Sequence, residues 1–202
     1  MPLYLVRHGQ TDWNKEKRFQ SRTDIPLNAT GLAQATAVRD ELRQRGVEFS
    51  AARTTPLGRA QKTAEIILEG TGLSATVEPD FIELEFGGFE GRLEAELREE
   101  FGERFTAWRR SEYTEVPPAG GESIISGAER VRSALFALKP LAAKGNVLIV
   151  AHQAVNMAMK VALSGRSDIP TAATYRQNND EVDVWDMDRG ERIEVFKVAY
   201  TE

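Results

Sequence analysis

The chain has no cysteine and only two histidines among its 202 residues. The first absence excludes disulfides and thiolate chemistry and makes a zinc site hard to build. No apolar stretch approaches the roughly 20 residues needed to cross a bilayer. The apolar run nearest the start is interrupted by Arg7 and His8, with no small-residue cleavage site after it, so no signal peptide is expected and a cytoplasmic location is the default. A basic excess is missing too: 26 Lys and Arg stand against 31 Asp and Glu, for a net charge of −5. A nucleic-acid partner would need a local basic patch that the sequence does not supply. There is no internal repeat and no low-complexity tract.

What is present is an ordinary globular composition, 41% hydrophobic and 28% charged, in a chain long enough for one well-buried domain spanning 1–202. Two apolar runs stand out. Leu3-Tyr4-Leu5-Val6 ends abruptly in Arg7-His8-Gly9, and Val147-Leu148-Ile149-Val150-Ala151 is followed directly by His152. Uninterrupted apolar runs of this length read as strands of a sheet covered on both faces. Both histidines therefore sit at strand ends, where open α/β sheets bind ligands.

Between these strands the pattern alternates. Residues 9–27 form a long polar loop. Asn28 caps an expected helix with Leu32, Ala35, Val38 and Leu42 at helical spacing, stopped by Gly46. Strand 47–52 leads to Thr55-Pro56, a favoured cap and first residue, and a helix over 56–69. Arg59 falls in its first turn, where the helix dipole disfavours a cation, so it is expected to answer to another group. A short strand at 75–78 precedes a loop, 81–91, that carries Glu83, Glu85 and Glu90 among aromatics; carboxyls in apolar surroundings have raised pKa values and serve as acids near neutrality. Glu85 and Glu90 are read as surface or structural.

Helices are expected over 93–110, 123–143 and 154–163, the last opening beside His152. A terminal hairpin over 182–187 and 192–198 would offer an edge for a homodimer. A metal site is disfavoured because the histidines lack ligand spacing and Arg7 and Arg59 would repel a dication. The residues suit phosphoryl transfer: a neutral imidazole as nucleophile, guanidiniums for phosphate oxygens and a carboxylic acid for the leaving group.

The strand-end Arg7-His8-Gly9, the late strand-end His152, and in order between them Trp13-Asn14, Asp24-Ile25-Pro26-Leu27, Thr55-Pro56-Leu57-Gly58-Arg59-Ala60, Glu83-Leu84-Glu85-Phe86-Gly87 and Gly120-Gly121-Glu122-Ser123 resemble the histidine phosphatase superfamily, the phosphoglycerate mutase-like family. The resemblance covers nearly all of the chain and is closest in appearance to cofactor-independent phosphatases. It implies a single α/β domain with a central, mostly parallel sheet flanked by helices on both faces. It also implies a phosphohistidine on His8, Glu83 as proton donor, and Arg7, Arg59 and His152 around the phosphate. Asn14, Gln20 and Ser21 would approach that phosphate, although Ser21 stands where many members have glycine. Arg109 and Arg110 resemble a stretch with which mutases hold a substrate carboxylate. Gln153 follows His152 where glycine is usual, and either narrows the pocket or gives it a hydrogen-bonding arm. Gln10 stands where several subfamilies carry glutamate.

The expected activity is metal-independent hydrolysis of a small phosphorylated metabolite, with no cofactor and no nucleic-acid or membrane partner. Two alternatives remain. A mutase would use the same phosphohistidine, but such mutases carry an insert where this chain has only the short loop 112–121. A binding module would keep the pocket without turnover.

Overall fold

Strands β1 (Pro2–Arg7) and β4 (Asn146–Ala151) form the centre of a six-stranded sheet in the computed structural model, which describes residues 1–110, 115–166 and 175–200. With β2 (Phe49–Thr54), β3 (Thr76–Val77), β5 (Glu181–Asp186) and β6 (Glu191–Lys197), the spatial order is β3-β2-β4-β1-β5-β6. The first four strands of that order run parallel, β5 pairs antiparallel with β1, and β6 pairs antiparallel with β5.

Each apolar run is uninterrupted because successive side chains enter two different cores. Leu3, Leu5, Val147 and Ile149 pack on one face with α6 (Ile124–Phe136) and α8 (Gln153–Ser164). Val6, Leu148 and Val150 pack on the other with α2 (Ala29–Gln44) and α3 (Gly58–Leu68). The chain is thus a single α/β domain with a mostly parallel sheet covered on both faces. Helix α8 lies between sheet and α6, and all of its residues from Ala154 to Leu163 are buried. Among the described residues no helix is long and apolar enough to cross a membrane.

Helix α2 follows the sequence pattern: the Asn28 side chain accepts from the Gly31 N–H at 2.9 Å, and Gly46 follows its end with φ +67. Other elements depart from it. The polar loop after β1 contains a short helix, α1 (Asp12–Lys15), closed by reciprocal Thr11 and Asn14 hydrogen bonds. The expected helix over 93–110 is two, α4 (Glu94–Phe101) and α5 (Glu103–Arg110), separated by Gly102 at φ +50. The helix expected over 123–143 is also two, α6 and α7 (Lys139–Ala142), since Pro140 has no amide hydrogen to continue the ladder. Strand β2 begins two residues later than its composition suggests, and α3 begins at Gly58 rather than Pro56.

Candidate active site

Parallel pairing of β1 with β4 sets the site. Arg7 lies opposite Ala151, and the His8 N–H donates to the Ala151 carbonyl at 2.9 Å. The first residues beyond the two strand ends, His8 and His152, therefore stand side by side, with ring centroids 5.1 Å apart. Both side chains are buried.

His8 Nδ1 lies 2.7 Å from the Gly9 carbonyl. A carbonyl only accepts, so Nδ1 carries the proton and Nε2 presents its lone pair. Arg59 Nε donates to that lone pair at 3.3 Å. Burial, reinforced by the charges of Arg59 and Arg7, holds the His8 pKa well below 6.5, so the ring is neutral at physiological pH. Gly9 is required by the backbone of α2 packed against it: a Cβ there would lie 2.2 Å from the Gly31 carbonyl oxygen.

Arg59 is buried in the first turn of α3. Its Nη1 donates to the Thr23 carbonyl at 2.7 Å and its Nη2 to the Ser21 carbonyl at 2.8 Å. The cation's unfavourable place at a helix N-terminus is answered by Asp24, whose carboxylate accepts from the Gly58 N–H at 2.6 Å and lies 3.4 Å from Arg59 Nη1. Thr55, expected to cap this helix, lies ahead of its Leu57 N-cap, accepts from the Leu57 amide at 3.2 Å and places the same Oγ1 2.9 Å from His152 Nε2. Arg7 donates from Nη1 to the Gln177 carbonyl at 3.3 Å, while its buried Nε has no partner among the described residues. Burial lowers the Arg7 pKa to about 10, which leaves it charged at neutral pH.

Glu83 occupies the N-terminus of α8. Its carboxylate accepts from Val155 N at 2.8 Å, Ala154 N at 3.2 Å and Leu84 N at 2.9 Å. Burial raises its pKa, and those three amides and Arg59 pull part of the shift back. Its loop is pinned from behind: Arg22 Nε donates to the Glu83 carbonyl at 3.3 Å, and Glu122 accepts from Arg22 at 2.9 Å and from the Glu85 amide at 3.0 Å. Glu90 is structural as expected, accepting from Thr23 N at 2.7 Å.

These groups open into a cavity of about 190 Å³ lined by Arg7, His8, Arg59, Glu83, Asn14, Gln20, Ser21, Arg109 and Gln153, with Phe19, Phe86 and Lys17 completing much of its wall. Two of the residues expected at the site lie outside this lining: His152 is fully buried behind His8, and Arg110 is exposed, because neighbouring residues on α5 point about 100° apart. Arg109 reaches the wall and pairs with Glu94 at 3.3 Å. The Ser21 hydroxyl is engaged by the acid loop, donating to the Leu84 carbonyl at 3.0 Å and accepting from Phe86 N at 3.1 Å. Its φ of +51 accounts for the family's use of glycine at this position. Asn14 spends its Oδ1 on the Thr11 amide. Gln10 is not in the lining; its Oε1 accepts from Asn28 at 3.1 Å.

Sequence reasoning missed Thr55 as a partner of His152, Asp24 as a partner of Arg59, and Asn179, which donates to the His8 carbonyl at 2.5 Å. Asn179 and Gln177 belong to a polar run directly before β5, and that run was the available signal. Among the described residues no three His, Asp or Glu side chains cluster in a metal-binding arrangement.

Residues 3–197 match the model of the histidine phosphatase superfamily, branch 1. A 2,3-bisphosphoglycerate-dependent phosphoglycerate mutase of Mesorhizobium japonicum is 37% identical over 171 residues, 82% of each chain. The alpha-ribazole phosphatase of Shigella flexneri superposes with a TM-score of 0.79 at 26% identity, covering 99% of this chain and 95% of that one. A mycobacterial glucosyl-3-phosphoglycerate phosphatase, in a structure with VO3, superposes at 0.81 with 29% identity, covering 91% of each. With the two strand-end histidines side by side, and with His8, the buried arginine and the acid loop meeting in one cavity, this chain belongs to the histidine phosphatase superfamily and has its phosphoglycerate mutase-like fold.

Proposed function

We propose that the protein is a metal-independent phosphatase that hydrolyses a small phosphomonoester through a phosphohistidine on His8, with Glu83 as proton donor. The observation that carries this reading is the unprotonated His8 Nε2, 3.3 Å from Arg59 Nε and facing a cavity with a buried carboxyl on its wall. In the first half-reaction Nε2 attacks phosphorus, the N–P bond forms, and the bond from phosphorus to the ester oxygen breaks. Glu83, whose pKa burial raises, delivers a proton to that oxygen. In the second, water attacks the phosphohistidine while the Glu83 carboxylate takes the water's proton, releasing phosphate and neutral His8. Arg7, Arg59 and His152 surround the phosphoryl oxygens, and the two guanidiniums supply the positive charge a dication would otherwise bring.

A mutase is the second reading. The Mesorhizobium relative carries that name, and Arg109 on the cavity wall fits a substrate carboxylate. Hydrolysis is favoured by the phosphatase names of the solved neighbours and by the sequence, in which only the short stretch 112–121 stands where such mutases carry an insert.

An aryl phosphate assay with excess EDTA tests the assignment. Sustained release of phosphate supports the phosphatase; isomerisation of a phosphoglycerate primed by its bisphosphate, without net hydrolysis, supports the mutase; neither activity leaves a binding module. His8→Ala is expected to lower turnover by on the order of 10³-fold or more and to abolish the acid-labile phosphoenzyme.

A further inference from the structure

Thr55 is fully buried at the carboxyl end of β2, and its hydroxyl has two partners. The Leu57 amide donates to Oγ1 at 3.2 Å, and His152 Nε2 lies 2.9 Å from the same atom. An amide N–H only donates, so the Leu57 contact uses one oxygen lone pair and leaves the hydroxyl proton unassigned. Among the described residues Oγ1 has no other partner that could receive that proton. On the other side of the ring, His152 Nδ1 is buried without a partner among the described residues.

Two arrangements are available. If His152 donated from Nε2, both the hydroxyl proton and the bare Nδ1 would be buried and unsatisfied. If the hydroxyl donates to Nε2, only Nδ1 is unsatisfied, and it then carries a hydrogen. Leaving fewer buried polar groups unpaired selects the second arrangement. We propose that Thr55 is a positioning residue whose hydroxyl donates to His152 Nε2, holding the neutral ring in its Nδ1–H form and reserving that N–H as a donor for a phosphoryl oxygen. The two adjacent imidazoles then share one tautomer but present opposite functions. His8 is tied by its N–H to the Gly9 carbonyl and displays a lone pair; His152 is tied by its lone pair to Thr55 and displays an N–H. The tautomer stands on the hydrogen bonds alone, while the donor role rests on the phosphatase reading.

With only two histidines, the chain labelled with ¹⁵N-histidine yields four ring signals, and His8→Asn assigns the pair that remains to His152. At pH 8 the expected spectrum of His152 has a pyrrole-type Nδ1 and a pyridine-type Nε2, and saturating inorganic phosphate shifts the Nδ1 signal. Thr55→Val should mix or invert the tautomer and lower kcat by about 10- to 100-fold with little change in KM; Thr55→Ser should restore both. A proton on Nε2 in the unsubstituted protein overturns the assignment, as does a Thr55→Val protein with unchanged tautomer and kcat. Should that variant fail to fold, the spectrum of the unsubstituted protein still decides the tautomer. An Nδ1 signal indifferent to phosphate overturns the donor role. Loss of the phosphatase reading would appear in the aryl phosphate assay and leave the tautomer measurement untouched.

Discussion

Asp24 closes the N-terminus of α3 from a separate segment of the chain and places a carboxylate oxygen 3.4 Å from the Arg59 guanidinium. One side chain thereby performs two tasks: it satisfies amides of the first turn, and it offsets the charge of an arginine that the helix dipole alone would disfavour. The arginine is thus held against the His8 lone pair before any phosphate arrives.

Replacing Asp24 separates these tasks. Asp24→Ala should cost about 1 kcal/mol of stability through the lost cap, and about tenfold in kcat/KM because Arg59 loses an anchor. Asp24→Asn keeps an acceptor for the amides and should unfold near the parent's urea midpoint while retaining a kinetic defect. The ion pair contributes little by itself, because the Asp24 side chain is 43% exposed. Urea titration and aryl phosphate kinetics on both variants check this, and an Asp24→Asn enzyme with parental kcat/KM would remove the electrostatic part.

Glu83→Gln keeps a carbonyl oxygen in place of Oε1 for the Val155 and Leu84 amides, loses the acceptor facing the Ala154 amide, and cannot give up a proton. Turnover of alkyl phosphates, whose leaving oxygens need that proton, should fall by about 10²- to 10⁴-fold, and turnover of nitrophenyl phosphates much less. Because burial raises the Glu83 pKa, the protonated acid persists to higher pH than for an ordinary carboxyl. The parent's kcat for alkyl phosphates should decline as pH rises through that value, and Glu83→Gln should lack the decline. Equal losses on both ester classes would exclude Glu83 as the donor.

Stability should depend on pH through the two histidines. Burial and the nearby arginine charges hold His8 and His152 well below 6.5 in the folded chain, whereas the unfolded chain protonates them near that value. Their contribution is complete above about pH 6.5 and is lost as pH falls toward the folded-state pKa, since the unfolded state then binds more protons. Urea midpoints measured from pH 7.5 to pH 5 should decrease, and the slope should flatten in His8→Asn and His152→Gln. An unchanged slope in both variants would show that other groups control the acid limb.

Local pattern alone made much of this molecule legible. Residues 3–6 and 147–151 are unbroken apolar runs because both faces of their strands are buried, and a polar residue directly after such a run must sit at the sheet's edge; that placed His8 and His152. Asn28 and Gly46 marked the ends of α2 because capping depends on a few adjacent residues. The oddity of an arginine in a first helical turn was visible, but its answer was not, since Asp24 meets Arg59 only through the folded path of the loop. The choice between Arg109 and Arg110 likewise depended on how α5 is rotated against the aromatic cluster of Phe19, Phe89 and Trp108. Sequence determined which residues end strands, begin helices and stay buried, because those properties are set by near neighbours. Tertiary structure decided strand register, the proton's place on each imidazole and the partner of each guanidinium, because a hydrogen bond between residues far apart in the chain exists only once the backbone has brought donor and acceptor within about 3 Å.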